Sequence, residues 1–192
     1  NHDCSMPLAE TASTFNECVV MASAIAKAAD DNEKLALIES QLQDATQIIC
    51  DIYSRFRFEK SVFEKRPEEF MHADTLCKLM TDAQKASYGD GLDESTLHPY
   101  MWVCKGHYYG PTFYNFPYAF GGLFARGLYA QYEKEGAAFV PKYKKLLYTT
   151  PIATAEDVAK VADIDLTDKA FWRGALQTIA DQIDLFCQLV EE

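Results

Sequence analysis

The side chains with the most chemical capacity fall in one stretch, residues 98 to 132. It reads HPYMWVCKGHYYGPTFYNFPYAFGGLFARGLYAQY and holds His98, His107 and about half of the chain's aromatic residues. Gly106, Gly110, Pro111, Pro117, Gly121 and Gly122 interrupt it. Gly and Pro each destabilise a helix interior, so the stretch predicts an irregular segment rather than a core helix. Buried Tyr hydroxyls need hydrogen-bond partners, which favours a ligand-facing loop, although a Gly-punctuated core turn has the same composition. Cys104 and His107 are three apart, which suggests a nucleophile and its base, but no orienting acid or oxyanion donor marks the pair. A second set lies near the start of the chain. Glu10 and Glu17, seven residues apart, share one helix face with Ser13 and Thr14. Such glutamates are either solvated surface, with Glu10 favoured at the positive end of a helix, or carboxylates held ready for a site. There is no HExxH, no Cys/His pair at zinc spacing and no Gly-rich loop after a strand.

Helices must position these groups. Pro7 suits a first turn, and Phe15, Cys18, Val19, Ala22, Ile25, Ala26 and Ala29 recur at three- and four-residue spacing. That predicts a helix from Pro7 to Ala29. Asp31 or Asn32 is expected to cap a second, through Leu35, Ile38, Leu42, Ala45, Ile49, Ile52 and Phe56, stopped by Pro67. At about thirty residues it would run roughly 45 Å. A third is expected over Glu68 to Ser87, through Phe70, Leu76, Leu79, Met80 and Ala83, ending at Tyr88-Gly89-Asp90-Gly91. Asp93 and Glu94 open a short helical piece, and Leu123 to Glu135 and Ala137 to Leu147 read as helices. Thr154, with Asp157 three residues on, predicts a capped start for Ala155 to Ala162. Thr167 is expected to cap the last helix, with Phe171, Leu176, Ile179, Ile183, Phe186 and Leu189 on its buried stripe. No strand alternation is visible, so the expected fold is all-α, a single helical domain over residues 1 to 192.

A chain of 192 residues can bury a real core, and 48% hydrophobic with 24% charged residues is the composition of a soluble globular protein. The net charge of −11 argues against nucleic acid or an anionic membrane surface as partner, because phosphate binding needs a basic face. No apolar run reaches the length of a membrane span, and no signal peptide is visible. Six cysteines without CxxC spacing, mostly within helical patterns, read as buried free thiols in a reducing cytoplasm. With Asn at position 1 and a helix starting almost at once, the chain is expected to be an excised piece of something longer.

Two segments resemble a known family. Leu8-Ala9-Glu10-Thr11-Ala12-Ser13-Thr14-Phe15-Asn16-Glu17 is similar to the helix that supplies the glutamate zinc ligand in oligoendopeptidase F-type (thimet-oligopeptidase-like) zinc peptidases. Gly106-His107-Tyr108-Tyr109 through Phe113-Tyr114-Asn115-Phe116-Pro117-Tyr118-Ala119-Phe120-Gly121 resembles that family's His- and Tyr-bearing substrate loop. The two occur in the family's order, and the similarity extends to Phe171-Trp172 and the last helix. The resemblance implies a helical C-terminal subdomain of a zincin-type oligopeptidase, which cleaves short peptides with zinc-activated water. It implies Glu10 as a zinc ligand, with Glu17 orienting a ligand histidine. His107 with Tyr114 or Tyr118 would donate hydrogen bonds to the scissile carbonyl oxygen, and Tyr108, Tyr109 and Gly110 would contact the substrate chain. The family's HExxH helix, with two zinc histidines and the general base, has no counterpart here, and His2 is not in such a motif. The chain by itself is therefore expected to be inactive, to bind zinc weakly or not at all, and to self-associate through faces that normally meet the missing part. The alternative is a non-catalytic helical module that grips a peptide or small ligand without metal.

Overall fold

Helix follows helix through the described residues, 4–191 of the computed structural model, with no strand among them. The α-helices run α1 Thr11–Ala26, α2 Asp31–Thr46, α3 Ile52–Lys65, α4 Ala73–Tyr88, α5 Met101–Cys104, α6 Phe116–Glu135, α7 Phe139–Thr149, α8 Ala155–Lys160 and α9 Lys169–Glu191. Two compact units share them: Asn1–Ala45 with Phe120–Glu192, and Thr46–Ala119.

In the first unit Pro7 sits in a 3-10 turn, Met6–Leu8, that plants the buried Leu8 in the core. The helix expected from Pro7 is thus a separate turn followed by α1, with Glu10 as the N-cap. Asp30, rather than Asp31 or Asn32, caps α2: its Oδ1 accepts the Glu33 N–H at 2.9 Å, the usual reach from cap to third helical residue. Leu8, Phe15, Phe124, Leu128, Phe139, Leu146, Val158 and Ile164 form the core, with Phe15 stacked on Tyr143 at 4.1 Å. Full burial of each large side chain contributes roughly 1.5–3 kcal/mol. Thr154 caps α8 as expected, accepting the Asp157 N–H at 3.2 Å.

Three expectations fail here, the first because of packing. Helix α6 begins at Phe116, well before Leu123, and carries Pro117, Gly121, Gly122 and Gly127 within it. Pro117 falls in the first turn, where no N–H is missed. The glycines mark close approaches. A Cβ at Gly121 would lie 3.2 Å from the Pro7 carbonyl oxygen, and one at Gly127 only 2.4 Å from the Phe171 ring. Contact across the helix outweighs the propensity cost of about 1 kcal/mol per glycine. In α9 only Ala175 and Ile179 are buried, while Leu176 and Ile183 of the expected stripe are 41% and 47% exposed. Asp168, not Thr167, caps that helix, accepting the Ala170 N–H at 2.8 Å.

In the second unit the chain passes through a π-helical segment, Gln47–Asp51, into α3, which stops before Pro67 as expected. Helix α4 starts at Ala73 instead of Glu68, leaving Phe70 80% exposed, and ends on Gly89 at φ +58°. Phe58, Met80 and Ala83 make a smaller core, covered by Leu76, Leu79, Met101, Trp102 and Tyr108.

Candidate active site

Lys105, in extended conformation, feeds a 3-10 turn over Gly106–Tyr109 that presents His107. The His107 ring stacks on Tyr114 with centroids 5.2 Å apart and 24° between planes. Tyr118, in the first turn of α6, closes the group at 5.7 Å from His107 and 5.9 Å from Tyr114. Three residues picked from the sequence are therefore brought together. His107 Nδ1 is buried with no hydrogen-bond partner in the protein.

The neighbouring residues of the loop divide. Tyr108 turns into the second core, edge-on to Phe58 at 5.1 Å, and burial pushes its phenol far above the ordinary tyrosine range. Tyr109 turns outward, 64% exposed, with its hydroxyl donating to the Trp102 carbonyl at 3.1 Å. Gly110 is exposed, and a Cβ there would meet nothing within 4 Å, so packing does not demand a glycine.

Beneath the group lies a polar network that sequence reasoning missed. Phe113 adopts φ +53°, a left-handed conformation costing a non-glycine residue roughly 1–2 kcal/mol. Its N–H donates to Glu59 Oε1 at 2.8 Å, and its ring lies 5.6 Å from Phe56 and 5.4 Å from Phe63. Asn115, fully buried, accepts at Oδ1 from Arg55 Nη1 at 3.4 Å, and Arg55 pairs with Asp51. Asp51, Arg55 and Glu59 recur every four residues, hence on one face. That spacing of charges on one face of an aromatic-rich helix does not by itself say that the face is buried. Arg55 and Glu59 are 4% and 5% exposed, and charged residues are almost never buried unless paired.

In the first unit Glu10 stands exposed at the head of α1, its Oε2 accepting from Ser13 Oγ at 3.0 Å. Gly121 of α6 passes behind it, a position at which a Cβ would sit 3.4 Å from Glu10 Cβ. Glu17 is exposed two turns on, beside Cys18, whose thiol is pushed up by burial. His2 lies outside the described residues, and among the described residues no three His, Cys, Asp or Glu side chains gather. All six cysteines are unpaired, but only Cys18 is buried; Cys4, Cys104 and Cys187 are exposed, since a helical position does not decide which face a thiol occupies.

Comparison with known proteins gives these groups a setting. Oligopeptidase PepF of Bacillus subtilis (strain 168) is 25% identical over 181 residues, covering 94% of this chain and 27% of the relative. The oligoendopeptidase F homolog of Lactococcus lactis subsp. lactis (strain IL1403) is 24% identical over 186 residues, or 96% of this chain and 31% of the relative. The chain thus spans less than a third of the length of either. The crystal structure of oligoendopeptidase-F from Enterococcus faecium superposes with a TM-score of 0.86 at 19% identity, covering 97% of this chain and 36% of that one, which shows the fold. Residues 1–177 match the description of peptidase family M3, and a match over so much of the sequence settles that this chain belongs to peptidase family M3.

Proposed function

We propose that this chain is the C-terminal part of the catalytic domain of a zinc-dependent oligoendopeptidase that hydrolyses short peptides in a reducing cytoplasm. The observation that carries the reading is the His107–Tyr114–Tyr118 group, three hydrogen-bonding rings assembled from a loop and a helix start. A buried N–H without a partner costs more than an unpaired ring nitrogen lone pair, so the orphaned Nδ1 favours the tautomer protonated at Nε2. That form offers one N–H as a donor, and the tyrosines add phenolic O–H groups. Donors fixed in place before reaction stabilise the charge that develops on a scissile carbonyl oxygen. Exposed Tyr109 and unobstructed Gly110 are then suited to the peptide backbone, whereas Tyr108 supports the loop from the core.

Glu10 fits the role of one zinc ligand: an exposed carboxylate at a helix start, oriented through a neighbouring serine. Zinc, when bound, supplies Lewis acidity to water and carbonyl. Glu17 would orient a ligand histidine. The two histidine ligands and the general base would come from an HExxH segment outside these 192 residues, which alone are expected to show no peptidase activity.

The test is the pair Tyr114→Phe and Tyr118→Phe in the complete enzyme. A lost oxyanion donor costs about 10²- to 10³-fold in kcat, and at least one variant should show a loss of that order with its melting temperature held. Loss of stability with turnover intact in both would make them core tyrosines and sink the assignment.

A further inference from the structure

Two side chains of α3 hold the backbone and side chain on either side of Tyr114. Glu59 Oε1 accepts the N–H of Phe113, the residue before it, at 2.8 Å. Arg55 donates to Asn115, the residue after it, and is itself tied to Asp51. Phe113 would not hold φ +53° unaided, and its ring is gripped by Phe56 and Phe63 of the same helix. Burial adds force to the arrangement. Glu59, Arg55 and Asn115 are 5%, 4% and 0% exposed, so the bonds they make to the loop are shielded from water. Arg55 Nε, Glu59 Oε2 and Asn115 Nδ2 are buried without a protein partner, a cost borne to keep these groups under the loop. The stack of Tyr114 on His107 therefore depends on a backbone that α3 sets from below.

We propose that Glu59 and Arg55 are positioning residues: by fixing Phe113 and Asn115 they set the Tyr114 ring against His107. The proposal rests on the peptidase reading of that group. Neither residue touches the reacting atoms. Each acts through the loop, so weakening the clamp lowers turnover through misplacement of a donor, and displacements near 1 Å are enough to cost orders of magnitude.

The experiment uses the complete peptidase carrying these residues, with three variants, Glu59→Ala, Glu59→Asp and Glu59→Gln. Asp keeps the charge but draws the oxygens back by about 1.5 Å, the length of a carbon–carbon bond, and so survives if Ala fails to fold. Gln keeps an amide oxygen in reach of the Phe113 N–H. Two quantities are read, kcat and KM on a short peptide, and hydrogen exchange over residues 107–118 with α4 as the folding control. With Asp, exchange in the loop should rise about tenfold while α4 is unchanged, and kcat should fall about tenfold with KM within about threefold. Gln should restore both to within about threefold of the parent. Faster loop exchange with unchanged kcat overturns the positioning role, and so does unchanged exchange. A Gln variant as impaired as Asp would mean that the charge acts rather than the bond, which also overturns it. An inactive parent enzyme would instead sink the peptidase reading, and the positioning role with it.

Discussion

Glu10 shows how little surrounds a residue to which so much is assigned. Its carboxylate accepts from Ser13 Oγ, and the same hydroxyl also reaches the Glu10 carbonyl oxygen at 3.0 Å. In the complete enzyme, Glu10→Gln should lower zinc affinity by more than the 10- to 100-fold typical of losing a group behind a ligand, while Ser13→Ala should lose only about tenfold. Metal content after dialysis against a graded chelator separates the two, and a Glu10→Gln enzyme that keeps its zinc fully would remove Glu10 from the ligand set. The cost of the Ser13 change should appear in metal affinity rather than in folding, because an exposed hydrogen bond of this kind contributes only about 1 kcal/mol.

At the scale of elements, glycines inside helices behave according to what faces them. A methyl at Gly127 would overlap two carbons of the Phe171 ring, so Gly127→Ala should destabilise by about 1–3 kcal/mol despite the better helix propensity. Gly174, in α9, faces open space, so Gly174→Ala should stabilise by about 0.5–1 kcal/mol. Urea denaturation of both variants checks the opposite signs. The same contrast explains what the sequence could convey. Periodicity was enough to place α1, α3, α7 and α9, and Pro67 and Thr154 correctly marked the end of α3 and the start of α8, because these signals are local. The course of α6 through Pro117 and its glycines was hidden, since the contacts that hold it come from Pro7 and Phe171, far away in sequence. His107, Tyr114 and Tyr118 were legible as chemistry. Asp51, Arg55 and Glu59 were not, since a charge at four-residue spacing looks the same on a solvated face as on a buried one until the loop that it serves is in place.

For the whole molecule, the exposed face of α9 and the buried phenols carry the predictions. Leu176, Ile183 and Val190 follow one another at seven-residue spacing, all exposed, and an apolar row of that kind is the seam that helices use to pair. The 192 residues alone are expected to self-associate in sedimentation velocity runs, and Leu176→Glu with Ile183→Glu should return them to monomer. An unchanged distribution would mean that another face is responsible. Burial pushes Tyr88, Tyr129 and Tyr143 up to about 12, with the charge of Asp51 adding at Tyr88 and that of Glu133 at Tyr129. The unfolded chain releases these protons near pH 10, so the folded state holds them more tightly and its stability declines as pH rises. That stability is fully present below about pH 10 and lost progressively towards about pH 12, which urea midpoints across the range will show. The seat of Phe171 against Gly127 bears finally on how such a chain can drift over generations. A methyl at 127 is admissible only beside something smaller at 171, so in an alignment of relatives the two positions should mutate as a pair, distant in sequence yet inherited together.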